Sequence, residues 1–430
     1  MIGADVMSGV RLPKHKKLSI GKSIYIYNKP KLVYIPLISS HDQNITVLVK
    51  KDDYVFKGSI IGRRKGNSKM PIHSSVSGRV VAFEEHTYLN GEKVKCVVIE
   101  NDFKEKMEVR RTPNATINNY SKEEFIDILI NRGIVGLGGA GFPTYIKYDV
   151  EHKINTLIVN AVECEPYITA DFMLFKEKTE EILEAIDAIL EINNIDEAII
   201  ATKKSNTVLN KLLANFLGTY LKIKLVNVPN IYPMGWERDL VKEVKGITYH
   251  RYPIEKGIVV SNVSTIYSIY EALKLEKPVI ERVITFTGEM LKEPQNVLVK
   301  IGTPVSEVIE AIGGYKRNKE LVFVAGGPMM GVALPSDDLV VSADLNCVLV
   351  LHKIKPSTLT ECMRCGKCVK VCPAKICPVL IKDSINNIND LEDYRADQCI
   401  ECGLCSYICP AKINVRQFVK IGKKKLSERK

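Results

Sequence analysis

No stretch of the 430-residue chain offers the roughly 18 consecutive apolar residues that a membrane span needs. No secretory leader is expected, since the basic opening "MIGADVMSGVRLPKHKK" has no apolar core behind it. Low-complexity sequence is scarce, which excludes a largely disordered or fibrous chain. There is no zinc-finger, RRM or helix-turn-helix signature, so the net charge of +11 is not read as nucleic-acid binding. The lysines are scattered except in the tail "KIGKKKLSERK", which reads as a solvated run or an electrostatic docking tail. What remains is a globular composition, 46% hydrophobic and 26% charged, expected to be cytoplasmic, with attachment to the cytoplasmic face of a membrane complex left open. The length suggests about three or four domains.

The cysteines are the strongest signal. Of twelve, eight fall in "CMRCGKCVKVCP" and "CIECGLCSYICP", each reading C-x2-C-x2-C-x3-C-P. In a cytosolic chain this spacing indicates metal ligation rather than disulfides. Three thiolates from one tight loop hold a 4Fe–4S cubane, and the fourth cysteine, before proline, reaches the other cluster. The expected sets are therefore Cys362, Cys365, Cys368 and Cys409, and Cys399, Cys402, Cys405 and Cys372. Structural zinc is the competing reading, but zinc sites pair two C-x2-C knuckles rather than repeating this order twice. Cys96, Cys347 and Cys377 read as small apolar residues. Cys164 stands between two carboxylates in "ECEP", which should raise its thiol pKa, and no chemistry is assigned to it.

Four modules follow from the patterns along the chain. Residues 1–112 read as all-β, with alternating strands and turns at Ser77-Gly78 and Asn90-Gly91. "VKKDDYVFKGSIIG…HSSVSGRV" resembles the barrel-sandwich hybrid of biotinyl and lipoyl carriers. Lys65 and Lys69 lie outside the fixed motif that carriers modify, so a structural barrel is the preferred reading. Residues 113–278 alternate helix and strand, as in an α/β layer domain. Its first helix opens on a capping box, Ser121 with Glu124, presents Phe125, Ile128 and Leu129 on one face, and stops at Gly133. Residues 279–355 are strand-rich with one helix at "PVSEVIEAI", which fits a small β-grasp module. Residues 356–430 hold the cysteines and a helical end.

Between the first helix and the next strand stands "GIVGLGGAGFPTYIKYD", with G-x-G-x-x-G at Gly136, Gly138 and Gly141. A Rossmann fingerprint must follow a strand, and this loop follows a helix, so that reading fails. The glycines, including Gly139, remove side chains and let backbone N–H groups approach phosphate or a flat ring. Lys147 adds a point charge and Phe142 an aromatic face. Such a loop could equally build a tight helix–strand junction. However, one-electron clusters downstream need a source, and a flavin is the usual converter between hydride and single electrons.

"GLGGAGFPTYIK" followed by "VNAVECEPYITAD" resembles the flavin- and NADH-binding loops of the NADH-oxidising subunit of respiratory complex I. The resemblance implies that Asn160 bonds the flavin's polar edge and that Glu163 and Glu165 hold ribose or the nicotinamide end. It extends to "IYPMGWERDLVKEVKG", giving Gly235 and Glu237, and to "VVSNVSTIYSIYEAL", giving Asn262 and Thr265. By itself Glu237 could be a dipole-favoured carboxylate at a helix start. Val162 and Leu137 depart from the pattern, standing where complex I has an aspartate and an arginine.

The order of the whole chain resembles RnfC, the peripheral subunit family of the Rnf electron-transport complex. That family implies a multidomain α/β and β fold: barrel-sandwich hybrid, FMN/NADH-binding α/β domain, SLBB-like β-grasp module and a bacterial-type two-cluster ferredoxin domain. It implies NADH oxidation, or NAD reduction, through FMN and two 4Fe–4S clusters, with membrane subunits as partners. "SGVRLPKHK" departs from the family's Gly-Gly-[IV]-His-Pro-Pro opening, and Trp236 stands where a small residue is expected. Soluble relatives serving other reductases, such as D-proline reductase, are the alternative. A relay without flavin is the rival from another class, kept alive by Val162. No side chain is expected to act as general acid or base.

Overall fold

The computed structural model describes residues 9–38, 44–65, 70–107, 114, 116–316, 320–353 and 358–429. The expected boundary at 112/113 and Lys69 lie outside the described residues.

The first module is a sandwich of two small antiparallel sheets. One orders Leu32–Pro36, Lys93–Asn101, Gly78–Thr87 and Tyr54–Val55, and the other Ile45–Val47, Ile60–Arg64 and Pro71–His73. Alternation along these strands turns Val33, Ile35, Ile61, Val80, Val97 and Ile99 into one core. At Asn90-Gly91 the hairpin turns on a left-handed glycine, φ 85° at Gly91, where a side chain would be strained.

The sequence places the whole N-terminus in this module, but residues 10–27 run elsewhere. Val10 bridges to Tyr232, and the strand Tyr25–Tyr27 pairs in parallel with Gln295–Lys300 of the third module. This segment is a strap across the later modules. An alternating pattern shows that a strand forms, but not which sheet edge it joins.

In the α/β domain the capping box forms as expected: Glu124 N–H donates to Ser121 Oγ at 3.2 Å, and Ser121 N–H to Glu124 Oε2 at 2.8 Å. The helix Lys122–Asn131 buries Phe125 and Leu129, and Gly133 leaves it with φ 66°. Four parallel strands follow in the spatial order Ile223–Val228, Glu197–Lys203, Thr156–Ala161, Ile258–Asn262. Except in the edge strand Ile223–Val228, their apolar runs are buried on both faces, as a helix-covered parallel sheet requires. Such sheets leave a crevice at the carboxyl ends of the strands, where Asn160 and Asn262 stand opposite each other in register.

The third module has a six-stranded mixed sheet: Tyr25–Tyr27, Gln295–Lys300, Glu281–Thr287, Cys347–His352, Leu321–Ala325 and Val332–Leu334. Helix Val305–Ala311 supplies Val305, Val308 and Ile309 to its core. In the cysteine-rich module each motif turns through a left-handed glycine, Gly366 or Gly403, into a four-residue helix. The tail is not a solvated run. Helix Val415–Arg429 buries Val415, Val419, Gly422 and Leu426, while Lys423 donates to the Cys399 carbonyl at 2.7 Å and Lys425 to that of Ile385 at 2.8 Å. Charge density concealed the apolar face because lysine stems can lie along a helix that packs.

Candidate functional site

A cleft of about 490 Å³ opens where the last three modules meet, within the usual ligand-pocket range of about 300–1,000 Å³. Gly138 and Gly139 form one wall. Asn160, Glu163, Cys164 and Glu165 come from the end of the strand Thr156–Ala161 and the loop after it. Gly235, Trp236 and Glu237 enter at the start of the helix Glu237–Lys245, and Asn262 from the last strand. Opposite them lie Gly326, Gly327 and Met330 of the third module, and Ile400 and Cys402 of the second cysteine motif.

Sequence motifs far apart are thus brought together: Gly138, Gly139, Asn160, Glu163, Glu165, Gly235, Glu237 and Asn262 all line the cleft. Gly136, Gly141, Phe142, Lys147 and Thr265 do not. Gly136 N–H donates to the Phe142 carbonyl at 2.8 Å and Gly141 N–H to the Gly136 carbonyl at 2.9 Å, so these residues close the loop on itself. Thr265 Oγ1 accepts from Leu137 N–H at 2.9 Å, a loop anchor. Lys147, expected to face phosphate, instead donates to the Val260 carbonyl at 2.7 Å. Burial lowers its pKa, with Glu237 opposing. The short helix Thr144–Lys147 turns the lysine behind the strands, a direction that spacing alone does not encode.

Several cleft polar groups are committed to the protein. Asn160 Nδ2 donates to the Gly235 carbonyl at 2.9 Å, while its Oδ1 accepts from Val162 N–H at 3.2 Å. Gly235 leaves little room, because a Cβ there would lie 3.1 Å from Cys164 Sγ. Asn262 caps the helix Val263–Leu275, accepting from Ser264 N–H at 2.9 Å, and its Nδ2 donates to Asp171 Oδ2 at 2.6 Å. Glu163 is bound on both oxygens, by Lys16 Nζ at 3.0 Å and by Asp171 N–H at 2.9 Å. Its pKa is pushed up to about 7, chiefly by burial, with Lys16 opposing and Asp171 adding. The Cys164 thiol is raised as expected, but burial is the main cause, Lys203 opposes it and Glu165 adds only a lesser push.

Glu165 is different. Its Oε1 accepts from Met329 N–H at 2.8 Å and Met330 N–H at 2.9 Å, while its Oε2 is buried without a hydrogen-bond partner among the described residues. Burial raises its pKa, and the backbone donors and the nearby Tyr232 hydroxyl oppose that rise. A buried carboxylate oxygen in that state is costly unless a donor arrives. The backbone comes this close because position 327 is glycine, where a Cβ would lie 2.1 Å from Glu165 Cγ. Side-chain-free Gly138 and Gly139 against an unsatisfied acceptor suit a flat, polar-edged cofactor with hydroxyl or amide donors.

Sequence reading missed three contributors. Asp171 lines the cleft and orients Asn262. Arg282, fully buried, donates to the carbonyls of Leu137, at 2.8 Å, and Ala343. It brings a guanidinium beside the position where Leu137 departs from complex I. The turn at Gly326–Gly331 forms the far wall. Asp171 was legible as an acid two residues after the "ECEPYIT" run, whereas Arg282 sits in an ordinary strand pattern and gives no signal. Val162 is fully buried among Ile158, Val228 and Met234, away from the cleft.

The eight motif cysteines divide into two quartets. Cys362, Cys365, Cys368 and Cys409 line one cavity, and Cys372, Cys399, Cys402 and Cys405 another. The fourth cysteine of each motif therefore crosses to the other's cavity. The thiol donor sets suit the clusters that the motifs imply. Val415 of the tail helix lines the first cavity, and Arg416 and Val419 the second. Cys402 lines both its own cavity and the large cleft. Tyr232, packed with Met329, Cys402 and Leu404, donates its hydroxyl to the Cys402 carbonyl at 2.7 Å. Arg416 reaches back to the Met330 carbonyl at 2.7 Å. Cys96 and Cys347 are buried core residues, and Cys377 is half-buried at the start of the helix Pro378–Asp383.

Comparison with known proteins agrees with the kinds of module read along the chain. Residues 4–104 match the RnfC barrel sandwich hybrid domain, 130–271 the Nuo51 FMN-binding domain, 283–333 the SLBB domain and 361–413 the 4Fe-4S dicluster domain. The chain is 33% identical over 381 residues to the corresponding subunit of the Na(+)-translocating ferredoxin:NAD(+) oxidoreductase complex of Acetobacterium woodii, covering 87% of this chain and 86% of that one. It is 32% identical to the proton-translocating counterpart of Clostridium ljungdahlii, covering 87% and 82%. Among solved structures, an NAD+-reducing NiFe-hydrogenase shares the fold, with a TM-score of 0.53 and 16% identity over 73% of this chain and 67% of that one. With an FMN-binding domain and a 4Fe–4S dicluster domain in one chain, the protein is an oxidoreductase subunit and belongs to the RnfC family of the Rnf ion-translocating ferredoxin:NAD+ oxidoreductase complexes.

Proposed function

We propose that the chain passes electrons between NAD(H) and a protein partner, with FMN and NAD(H) meeting in the large cleft and two 4Fe–4S clusters in the cysteine cavities. The observation that carries this reading is that one cleft is lined both by the glycine loop and by Cys402. FMN, when bound, supplies the exchange between hydride and single electrons. The residues bind and orient. Gly138 and Gly139 admit the ring or phosphate, Glu165 Oε2 accepts from a ligand hydroxyl or amide, and Asn160, Glu237 and Asn262 hold the loops in place. Gly136, Gly141, Phe142, Lys147 and Thr265 shape the loop from behind. Trp236 and Met330 help exclude water from the cleft.

The first quartet is Cys362, Cys365, Cys368 and Cys409; the second is Cys372, Cys399, Cys402 and Cys405. The second borders the cleft and so takes the place nearest the flavin. Cys365, the exposed member of the first, faces outward toward a partner. Family membership favours the other subunits of an ion-translocating complex as that partner. Among the described residues no helix is long and apolar enough to cross a membrane, so attachment would be peripheral, on the cytoplasmic face.

The test uses the chain purified without oxygen and reconstituted with iron, sulfide and FMN. About eight irons and one FMN per chain, with visible bleaching on adding NADH, are the expected result. Full clusters without flavin or bleaching would reduce the chain to a relay.

A further inference from the structure

The segment before the first sandwich strand makes its closest contacts at the cleft rather than in the module it precedes. Val10 exchanges backbone hydrogen bonds with Tyr232, at 3.0 and 2.9 Å. His15 stacks on Tyr167 with ring centroids 4.5 Å apart, and Tyr167 N–H donates to the Lys14 carbonyl at 2.9 Å. Ser19 Oγ lies 2.7 Å from Thr169 Oγ1. All of these contacts except that to Tyr232 converge on the loop that carries Glu163, Cys164, Glu165 and Ile168 into the cleft.

Lys16 is the centre of the arrangement. Its Nζ donates to the Glu163 carbonyl at 2.7 Å, to Glu163 Oε2 at 3.0 Å and to the Ile168 carbonyl at 2.5 Å. One ammonium thus spends its three donors on both ends of a six-residue loop. The loop needs holding, because Glu163 and Tyr167 adopt left-handed backbone, φ 40° and 68°, at a cost for non-glycine residues. The ion pair is well shielded, with side-chain exposures of 17% for Lys16 and 6% for Glu163. Glu165, which lines the cleft, lies between the two tethered ends.

We propose that the N-terminal strap is a working part of the dinucleotide pocket, with Lys16 as a positioning residue that staples the loop Glu163–Ile168 and so presents Glu165 to the ligand. The proposal rests on the reading that the cleft takes NAD(H). Lys16 touches no ligand itself; it acts through the loop.

The experiment titrates NAD+ into the full chain loaded with iron and FMN, following heat of binding, with FMN and iron per chain and the melting curve as further readouts. Lys16→Met should weaken NAD+ binding about tenfold or more, the loss expected for a charge-assisted contact, while cofactor content stays at the wild-type level. Lys153→Ala, which removes an exposed ion pair with Asp196 away from the strap, should stay within about twofold. If Lys16→Met does not fold, Lys16→Arg takes its place: a planar fork cannot put one nitrogen on three oxygens, so binding should again weaken. The double variant Lys16→Met with Glu163→Gln should stay weak. Recovery in it would overturn the staple and leave Lys16 as a mere counter-ion to Glu163. Unchanged affinity in Lys16→Met also overturns the proposal. A wild-type chain that binds no NAD+ overturns both this and the function on which it rests.

Discussion

Glu163 and Glu165 are separated only by Cys164 in sequence and differ in what surrounds them. Glu163 is saturated by Lys16 and the Asp171 backbone, whereas Glu165 keeps one buried oxygen without a partner among the described residues. Glu165→Gln would preserve an acceptor for Met329 and Met330 N–H but turn a donor toward the ligand. Flavin or nucleotide affinity should fall by about ten- to a hundredfold, checked by equilibrium titration; wild-type affinity would remove Glu165 from the site. Glu163 bears on stability instead. Its carboxyl titrates near 7 in the fold against about 4.3 in an unfolded chain. A raised pKa favours the fold below the unfolded value, and that contribution is lost as pH rises through the folded one. Glu163→Gln should therefore gain stability relative to wild type between about pH 4.5 and 7, as read by denaturant melts across that window. Parallel curves would show that the carboxyl is ionised throughout. Sequence spacing marked both glutamates but could not separate their roles, because burial and Lys16 come from elsewhere in the chain.

Loops and helix ends divide the work of the glycine-rich segment. Its consensus glycines were legible, yet only Gly138 and Gly139 face the cleft, while Gly136 and Gly141 close the turn by backbone hydrogen bonds. A pattern records which positions reject a side chain and not whether a ligand or the protein's own backbone is the reason. The cysteine motifs were read further. The crossing of the fourth cysteine follows from a three-residue gap that carries it past its own loop, and the cavities divide in the same way. Cys372→Ser and Cys405→Ser should thus disturb the same cluster, and Cys365→Ser the other, as distinguished by electron paramagnetic resonance of the reduced protein. If Cys372→Ser matched Cys365→Ser, the crossed assignment would fail. The tail helix was misread because its lysines dominate the composition, while the buried stripe of Val415, Val419, Gly422 and Leu426 is sparse.

Across the whole molecule, the strap joins modules that each have their own core. Its strand Tyr25–Tyr27 covers the edge of Gln295–Lys300, and an uncovered edge is a template for association. Deleting residues 1–28 should produce aggregates on size-exclusion chromatography; a monomer that melts like wild type would show that the edge needs no cover. The junction is held by Glu165 on Met329 and Met330, Arg416 on Met330, and Tyr232 on Cys402, which puts the cysteine module against the cleft. The sequence by itself determined the four kinds of module, the thiol sets and the loops that carry the acids, because these depend on local periodicity, turn chemistry and ligand spacing. Only the tertiary structure decided that Lys147 turns away, that Arg282 and Asp171 turn in, and that a strap from the first residues holds a loop some 150 positions later. Those outcomes depend on which surfaces meet when separate cores pack, and no local pattern carries that information.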